Sequence, residues 1–294
     1  VTMIVLVDTT NIAYRANAML RLSSESGDVS AVYGTLLSIR HVLKKFGPCR
    51  LYCFWDVGKS WRSRYYPQYK ANRATKFSEE DKADIYRQIK LIHPLLASLG
   101  VTQLSKVGYE ADDLIAYCCQ SMDGSKIIVS GDRDLVQLVD DQTHLYYLPK
   151  KVLVDRSNCK TIMGLAPKQY LHKCILKGDP SDNVKGIAGV GEILATEIVK
   201  TVGTSNWTII QQKLEHLPPK LRKHLDNPEV PSIISRNTKL MRLGKANIHI
   251  PSRMLRKPQM NRSRFRELCV EHRFVSLLED TNGWLDSFYR LQSE

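Results

Sequence analysis

The amino-terminal run Met3-Ile4-Val5-Leu6-Val7 is unbroken apolar sequence that ends in Asp8. A run this short and this apolar reads as a strand covered on both faces, the condition of a central strand in a parallel sheet flanked by helices. The pattern recurs. Residues 51–55 are followed by Asp56, and Lys126-Ile127-Ile128-Val129 by Ser130-Gly131-Asp132. Parallel strands share one carboxyl edge, and in open α/β sheets that edge is where sites form. A single aspartate after a strand is commonly a turn or cap residue. Asp8, Asp56 and Asp132 together are poorly explained by independent caps.

The segments between these strands predict an α/β fold with a mainly parallel central sheet flanked by helices. Residues 32–46 carry Leu36, Leu37, Ile39, Val42 and Leu43 at helical spacing and stop at Gly47-Pro48. Residues 59–76 interleave Lys59, Arg62, Arg64, Lys70, Arg73 and Lys76 with Trp61, Tyr65, Tyr66 and Tyr69. That composition is too cationic for a core and rich in faces on which bases stack, although a solvated basic loop is the plainer alternative. Ser78 should cap a long helix with Glu79, Glu80 and Asp81 in its first turn, a kink near Pro94 and an end at Gly100. Residues 145–148 and 152–154 predict an antiparallel pair. Beyond residue 160 the pattern predicts helices over 167–176, 193–202, 207–214 and 220–225, then a short strand at 247–250 and a helix over 264–278.

Glu110, Asp112 and Asp113 crowd the start of a further helix, just after Gly108-Tyr109. The helix dipole favours acidic residues there. Three of them raise one another's pKa unless positive charge intervenes. Asp179 and Asp182, in Gly178-Asp179-Pro180-Ser181-Asp182-Asn183, lie in a loop that can fold over the same edge. An all-oxygen donor set without Cys or His suits hard cations such as Mg²⁺ or Mn²⁺. Two such ions can clamp the attacking and leaving oxygens of a phosphodiester, so the chemistry implied is phosphodiester hydrolysis.

The whole-chain balance agrees. Lys and Arg number 43 against 30 Asp and Glu, a net charge of +13 that favours a polyanionic partner. The seven cysteines include no C-x-x-C pair, which argues against a zinc site or disulfide framework and for a reducing cytoplasm. No apolar run approaches bilayer length, and the start of the chain is too short and too soon acidic for a signal peptide. Gly186-Ile187-Ala188-Gly189-Val190-Gly191 precedes a helix beginning near Glu192, with no strand before it. The spacing fits a helix-hairpin-helix turn whose backbone N–H groups approach a phosphate, or a tight interhelical turn without ligand.

In their order along the chain, these residues resemble the 5′-nuclease (flap endonuclease) family of bacteriophages and of the 5′-to-3′ exonuclease domain of bacterial DNA polymerase I. The matching segments are Leu6-Val7-Asp8, Ala13-Tyr14-Arg15-Ala16, Ala31-Val32-Tyr33-Gly34, Pro67-Gln68-Tyr69-Lys70-Ala71-Asn72-Arg73, Asp132-Arg133-Asp134-Leu135, and residues 108–114, 178–191 and 265–278. The resemblance implies a PIN-like nuclease core over 1–160 with a helical arch at about 59–93. It also implies a helix-hairpin-helix subdomain over 161–245 and a segment over 246–294 that packs back on the core.

By the same resemblance, Asp8, Asp56, Glu110 and Asp112 would hold a first metal, and Asp113, Asp132, Asp134, Asp179 and Asp182 a second. Lys70 and Arg73 would orient the scissile phosphate, and Tyr69 would stack on a terminal base. Arg62, Arg64, Lys185, Gly186, Gly189 and Gly191 would contact DNA, with a monovalent cation such as K⁺ at the hairpin turn. The hairpin departs from the family's Gly-x-Lys-Thr-Ala, since this chain reads Gly191-Glu192-Ile193-Leu194-Ala195, and Val184-Lys185 stands where a proline is usual.

The function expected is a Mg²⁺-dependent, monomeric, cytoplasmic 5′ nuclease. It would act on flaps, nicks, free 5′ ends and RNA–DNA primer junctions in replication, with a polymerase as partner. Two alternatives share residues with it. A PIN-type ribonuclease would not require the arch and hairpin, and a non-catalytic DNA-junction binder would be relieved of repulsion by losing the carboxylates.

Overall fold

The computed structural model describes residues 2–20, 22–24, 27–75, 78–289 and 291. Six strands form the central sheet: β1 (Met3–Asp8), β2 (Cys49–Trp55), β3 (Thr102–Ser105), β4 (Lys126–Ser130), β5 (Thr143–Tyr147) and β6 (Val152–Val154). Their spatial order is β3-β2-β1-β4-β5-β6, parallel throughout except for the antiparallel β5–β6 pair at one edge. β1 lies between β2 and β4, so the chain builds outward on one side of β1 and then crosses to the other. The order therefore reverses between β1 and β4, and crevices at such reversals bind ligands at the strands' carboxyl ends. Register fixes what lines this one. Asp8 lies level with Phe54 of β2, and Val7 level with Val129 of β4, which sets Ser130 beside Asp8.

Apolar cores cover both faces of the sheet. One gathers α1 (Thr9–Met19), α2 (Ser30–Phe46) and, beyond the short α3 (Trp61–Tyr65), α4 (Glu79–Ser98) against Val5, Val7, Cys53 and Trp55. The other packs α5 (Ala111–Ser121) against Ile4, Leu6, Phe54 and Ile128. This is the arrangement that makes β1 apolar on every side chain up to Asp8. Three carboxy-terminal helices, α12 (Arg262–Glu271), α13 (Val275–Glu279) and α14 (Thr281–Phe288), join the first core through Phe265, Phe274, Trp284 and Phe288.

The second half of the chain has a further core of its own. Between the short α6 (Cys159–Met163) and those terminal helices lie α7 (Pro167–Lys177), α8 (Glu192–Val202), α9 (Trp207–Lys213), α10 (Pro219–Leu225) and α11 (Val230–Met241). Ile175, Leu176, Ile198, Val199, Leu221 and Ile234 pack together among them. A two-residue ladder, β7 (Gly178–Asp179) with β8 (Val184–Lys185), closes the connection from α7 to α8. Gly178, at φ +77°, and Gly186 cross at backbone contact. A Cβ on Gly186 would sit 2.0 Å from the Lys177 carbonyl oxygen, so no side chain fits there.

Two expectations need correction. Residues 247–250 form no strand and pair with none among the described residues, being tied instead by side chains, with Lys106 Nζ and Tyr109 Oη donating to the His249 and Asn247 carbonyls. The helix expected over 264–278 is broken, because Arg273 adopts φ +53° between α12 and α13. α1 begins directly at the end of β1, with Asp8 as its cap.

Candidate active site

Asp8, Asp56, Asp132 and Asp179 are each aimed by local hydrogen bonds. Asp8 is buried, with Oδ1 accepting from the Asn11 N–H and Oδ2 from Ser130 Oγ at 2.7 Å. Asp56, one residue past β2, accepts from the Ala111 N–H at 2.7 Å, and the Asp56 N–H donates to Thr10 Oγ1 at 2.8 Å. Ser130 Oγ also accepts from the Asp132 N–H, and Asp132 in turn accepts from the Asp134 N–H at 2.8 Å. Asp179 folds onto the Ser181 N–H and hydroxyl, each at 2.8 Å.

The carboxylates sense one another across the crevice. Burial, then the Asp56 and Asp132 charges, push Asp8 up to about 7 against the lowering effect of Ser130. Asp112 is driven well above the usual range by burial and by Glu110, Asp132 and Asp8. Burial raises Asp132, the Asp182 and Asp179 charges raise it further, and Asp134 rises well above the usual range by burial and by Asp132, Asp179 and Asp182. Two groups emerge, Asp8, Asp56, Glu110 and Asp112 on one side and Asp132, Asp134, Asp179 and Asp182 on the other, with Asp132 sensed by both. Among the described residues no three acidic, histidine or cysteine side chains already converge as a closed metal cage. The donor set nonetheless fits a hard divalent ion, being all oxygen and mutually repelling.

Positive charge enters this crevice from the segment after β2. Lys70 Nζ lies 2.5 Å from Glu110 Oε1 and 3.8 Å from Asp182, and Arg73 Nη2 donates to Asp182 Oδ1 at 2.6 Å. Burial would pull Lys70 down, but Glu110, Asp182 and Asp112 outweigh it and hold its ammonium above its ordinary pKa. The backbone is tied as well. The Lys70 N–H donates to the Asp182 carbonyl, Asn183 Nδ2 to the Gln68 carbonyl and Asn72 Nδ2 to the Pro180 carbonyl. The expected arch is therefore anchored to the β7–β8 loop through residues 68–72. Its basic Lys76 lies outside the described residues.

Several expected roles are relocated by this geometry. Asp113 is 2% exposed and gives both oxygens to Arg62, at 2.7 and 2.8 Å, while also accepting from Trp61 Nε1 and the Glu110 N–H. At the third position of α5 its side chain folds back to the helix start, away from the crevice. Arg62 is equally buried, completing its contacts with Glu110 at 3.1 Å and the Leu240 carbonyl at 2.7 Å, so it is a structural ion pair and not a DNA contact. Tyr69 is buried against Val184 and Leu240, with no face open to a base. Arg64 and Lys185 are exposed.

In the hairpin, Gly189 takes φ +74° against His224, and Gly191 stands in open space at the start of α8 with no side-chain cap. Glu192 is drawn off by Lys173 and Lys177 at 2.6 and 3.0 Å. Sequence reasoning did not assign Thr10, Asn11 or Ser130 to the site, and it read Trp61 as a stacking face where its Nε1 donates to Asp113. The Ser130-Gly131-Asp132 spacing carried the signal, because a hydroxyl two residues before an aspartate can bond both its neighbours and its own chain.

Residues 3–164 match the model of the 5′-3′ exonuclease N-terminal resolvase-like domain. The chain belongs to the 5′-3′ exonuclease family. It is 34% identical over 213 residues to DNA polymerase I of Mycobacterium tuberculosis, covering 68% of this chain and 23% of that one. It is likewise 34% identical over 242 residues to thermostable DNA polymerase I of Thermus thermophilus, covering 79% and 28%. The chain thus spans about a quarter of the length of these relatives, between 23% and 28%. Its fold is shared with bacteriophage T5 flap endonuclease in a complex with DNA and metal ions, at TM-score 0.67 and 19% identity over 98% of each chain. The Rad2 catalytic core in complex with DNA substrate gives TM-score 0.61 at 16% identity, over 98% of this chain and 92% of that one. The exonuclease family is a family of nucleases.

Two outcomes follow from the charges described. Arg62→Ala strands two buried carboxylates and should cost about 3–5 kcal/mol, read as a lowered denaturant midpoint. Asp8 has a folded pKa near 7 against an ordinary 3.8, so its contribution to stability is present below pH 4 and lost as pH rises through 7. In EDTA the melting temperature should fall across that window, Asp8→Asn should flatten the fall, and Mn²⁺ should restore the loss at pH 8.

Proposed function

We propose that this chain is a structure-specific 5′ nuclease that hydrolyses phosphodiesters at DNA flaps, nicks and free 5′ ends, and at RNA–DNA primer junctions. The observation that carries the reading is the double group of carboxylates at the β1/β4 reversal, faced by Lys70 and Arg73. Asp8, Asp56, Glu110 and Asp112 would hold one Mg²⁺ or Mn²⁺, and Asp132, Asp134, Asp179 and Asp182 a second. Such ions, when bound, stabilise the negative charge that develops on the phosphoryl oxygens.

The chain's own groups do the rest. Lys70 and Arg73 offer cations on the open side of the crevice, where they can orient the scissile phosphate and offset its growing charge. The bare start of α8 at Gly191 presents backbone N–H groups to a duplex phosphate, and exposed Lys185 and Arg64 add cationic contacts. The turn would also accept a monovalent cation such as K⁺, although the Ala188 carbonyl already faces His224 Nδ1 at 3.1 Å. Residues 1–160 would form the nuclease unit, 161–245 the duplex-binding unit, and 246–294 a buttress for the core. The protein would act as a cytoplasmic monomer beside a replicative polymerase.

The test is cleavage of 5′-labelled flap, duplex and RNA substrates with Mg²⁺ and with EDTA. Metal-dependent release from the flap is expected, and none from any DNA substrate would overturn the reading in favour of a junction binder. Release from RNA alone would favour the ribonuclease. Asp132→Asn should abolish cleavage and leave flap affinity in EDTA equal or tighter. Lys70→Ala should slow single-turnover cleavage by about 10²-fold or more with duplex affinity nearly unchanged, whereas a large loss of affinity would make Lys70 a binding residue.

A further inference from the structure

The phenol of Tyr69 joins two carboxylates that come from opposite parts of the molecule. Its Oη lies 2.9 Å from Glu110 Oε2, at the start of α5, and 2.9 Å from Asp182 Oδ2, in the β7–β8 loop. One hydroxyl hydrogen serves two acceptors at equal distance. The ring is held in place without reference to either carboxylate, being 8% exposed and packed against Val184 and Leu240. The Tyr69 N–H donates to the Tyr66 carbonyl, and the adjoining Lys70, at φ +56°, donates its N–H to the Asp182 carbonyl. The hydroxyl is thus a fixed post between the core group of carboxylates and the loop group.

We propose that Tyr69 is a positioning residue that couples the two metal groups, so that divalent ions enter both as one linked event. This rests on the two-metal reading given above. A ligand carboxylate that must turn toward an ion is held by its outer hydrogen bond, and loss of such a partner commonly costs 10–100-fold in metal affinity. Here one partner serves both groups. Rotation of Glu110 toward the first ion releases or redirects the hydrogen that steadies Asp182, and the reverse holds for the second ion. Reciprocity of this kind is what linked binding requires. Lys70, 2.5 Å from Glu110 and 3.8 Å from Asp182, carries its charge to the same two groups but has a flexible stem and no packed ring. It cannot fix their separation as the phenol does.

Tyr69→Phe removes the hydroxyl and keeps the ring. The experiment is calorimetric titration of the DNA-free protein with Mn²⁺, with the melting temperature in EDTA as the check on folding. The wild type should bind two ions in one steep isotherm. Tyr69→Phe should bind them in two separated steps, with the weaker site at least tenfold weaker than in the wild type, and with a melting temperature in EDTA close to wild type. Val184→Ala loosens the ring's packing and keeps the hydroxyl, and it should leave the isotherm within about twofold of wild type. A Tyr69→Phe isotherm that superimposes on the wild type overturns the coupling role and leaves the two-metal reading standing. Equal losses in Tyr69→Phe and Val184→Ala overturn it as well, since packing alone would then account for the effect. A wild type that takes up no Mn²⁺ overturns the two-metal reading itself, and this assignment with it.

Discussion

The acidic start of α5 depends on one buried guanidinium. Arg62 neutralises Asp113 through two parallel hydrogen bonds, reaches Glu110 with a third contact and ends on the Leu240 carbonyl. Its own pKa is raised because hydrogen bonding to Asp113, with the Asp113 and Glu110 charges, outweighs the cost of burial. Without that cation, Glu110 and Asp113 would be two adjacent buried anions at the head of a helix, an arrangement that burial forbids. With it, Asp113 becomes scaffold and Glu110 is left with one oxygen facing the crevice. The same contact pins the segment after β2 to α11, so the basic residues that follow are delivered from a fixed point.

Much of this was legible in the sequence, for physical reasons that can be named. The apolar runs ending in Asp8 and Asp56 located the carboxyl edge because a strand buried on both faces has no other place for a charge. Asp132, after Ser130-Gly131, was found in the same way. The division of labour within Glu110-Ala111-Asp112-Asp113 was not legible. A helix start can turn a carboxylate outward or fold it back onto the N–H groups, and the choice is made by Arg62, forty-eight residues away from Glu110 in the chain. Spacing cannot report a partner so distant. Tyr69 was misjudged for a related reason, since an aromatic among cations reads as a surface on which bases stack until its neighbours Val184 and Leu240 are known.

The errors in the fold have a common origin too. The helix over 264–278 was read as continuous because nothing in its spacing marks Arg273, whose φ of +53° breaks it. β3, Thr102-Gln103-Leu104-Ser105, is short and mostly polar, with Thr102 and Leu104 buried, and it offered too little periodicity to be recognised. α11 escaped notice behind Pro231, a residue well tolerated in a first helical turn. Long, strongly patterned elements were found, and those defined by a single cap or by a neighbour's edge were not.

The electrostatics of the hairpin have a consequence of their own. Glu192 is paired with Lys173 and Lys177, so its own charge is offset at the start of α8, where Gly191 offers uncharged backbone donors. Cationic side chains that meet nucleic acid displace condensed counterions, and their contribution fades as ionic strength rises. Neutral donors displace few. Affinity in this molecule would therefore divide in two, a salt-sensitive share from the arginines and lysines and a salt-tolerant grip at the hairpin. The second would persist in concentrated electrolyte, where the first is lost.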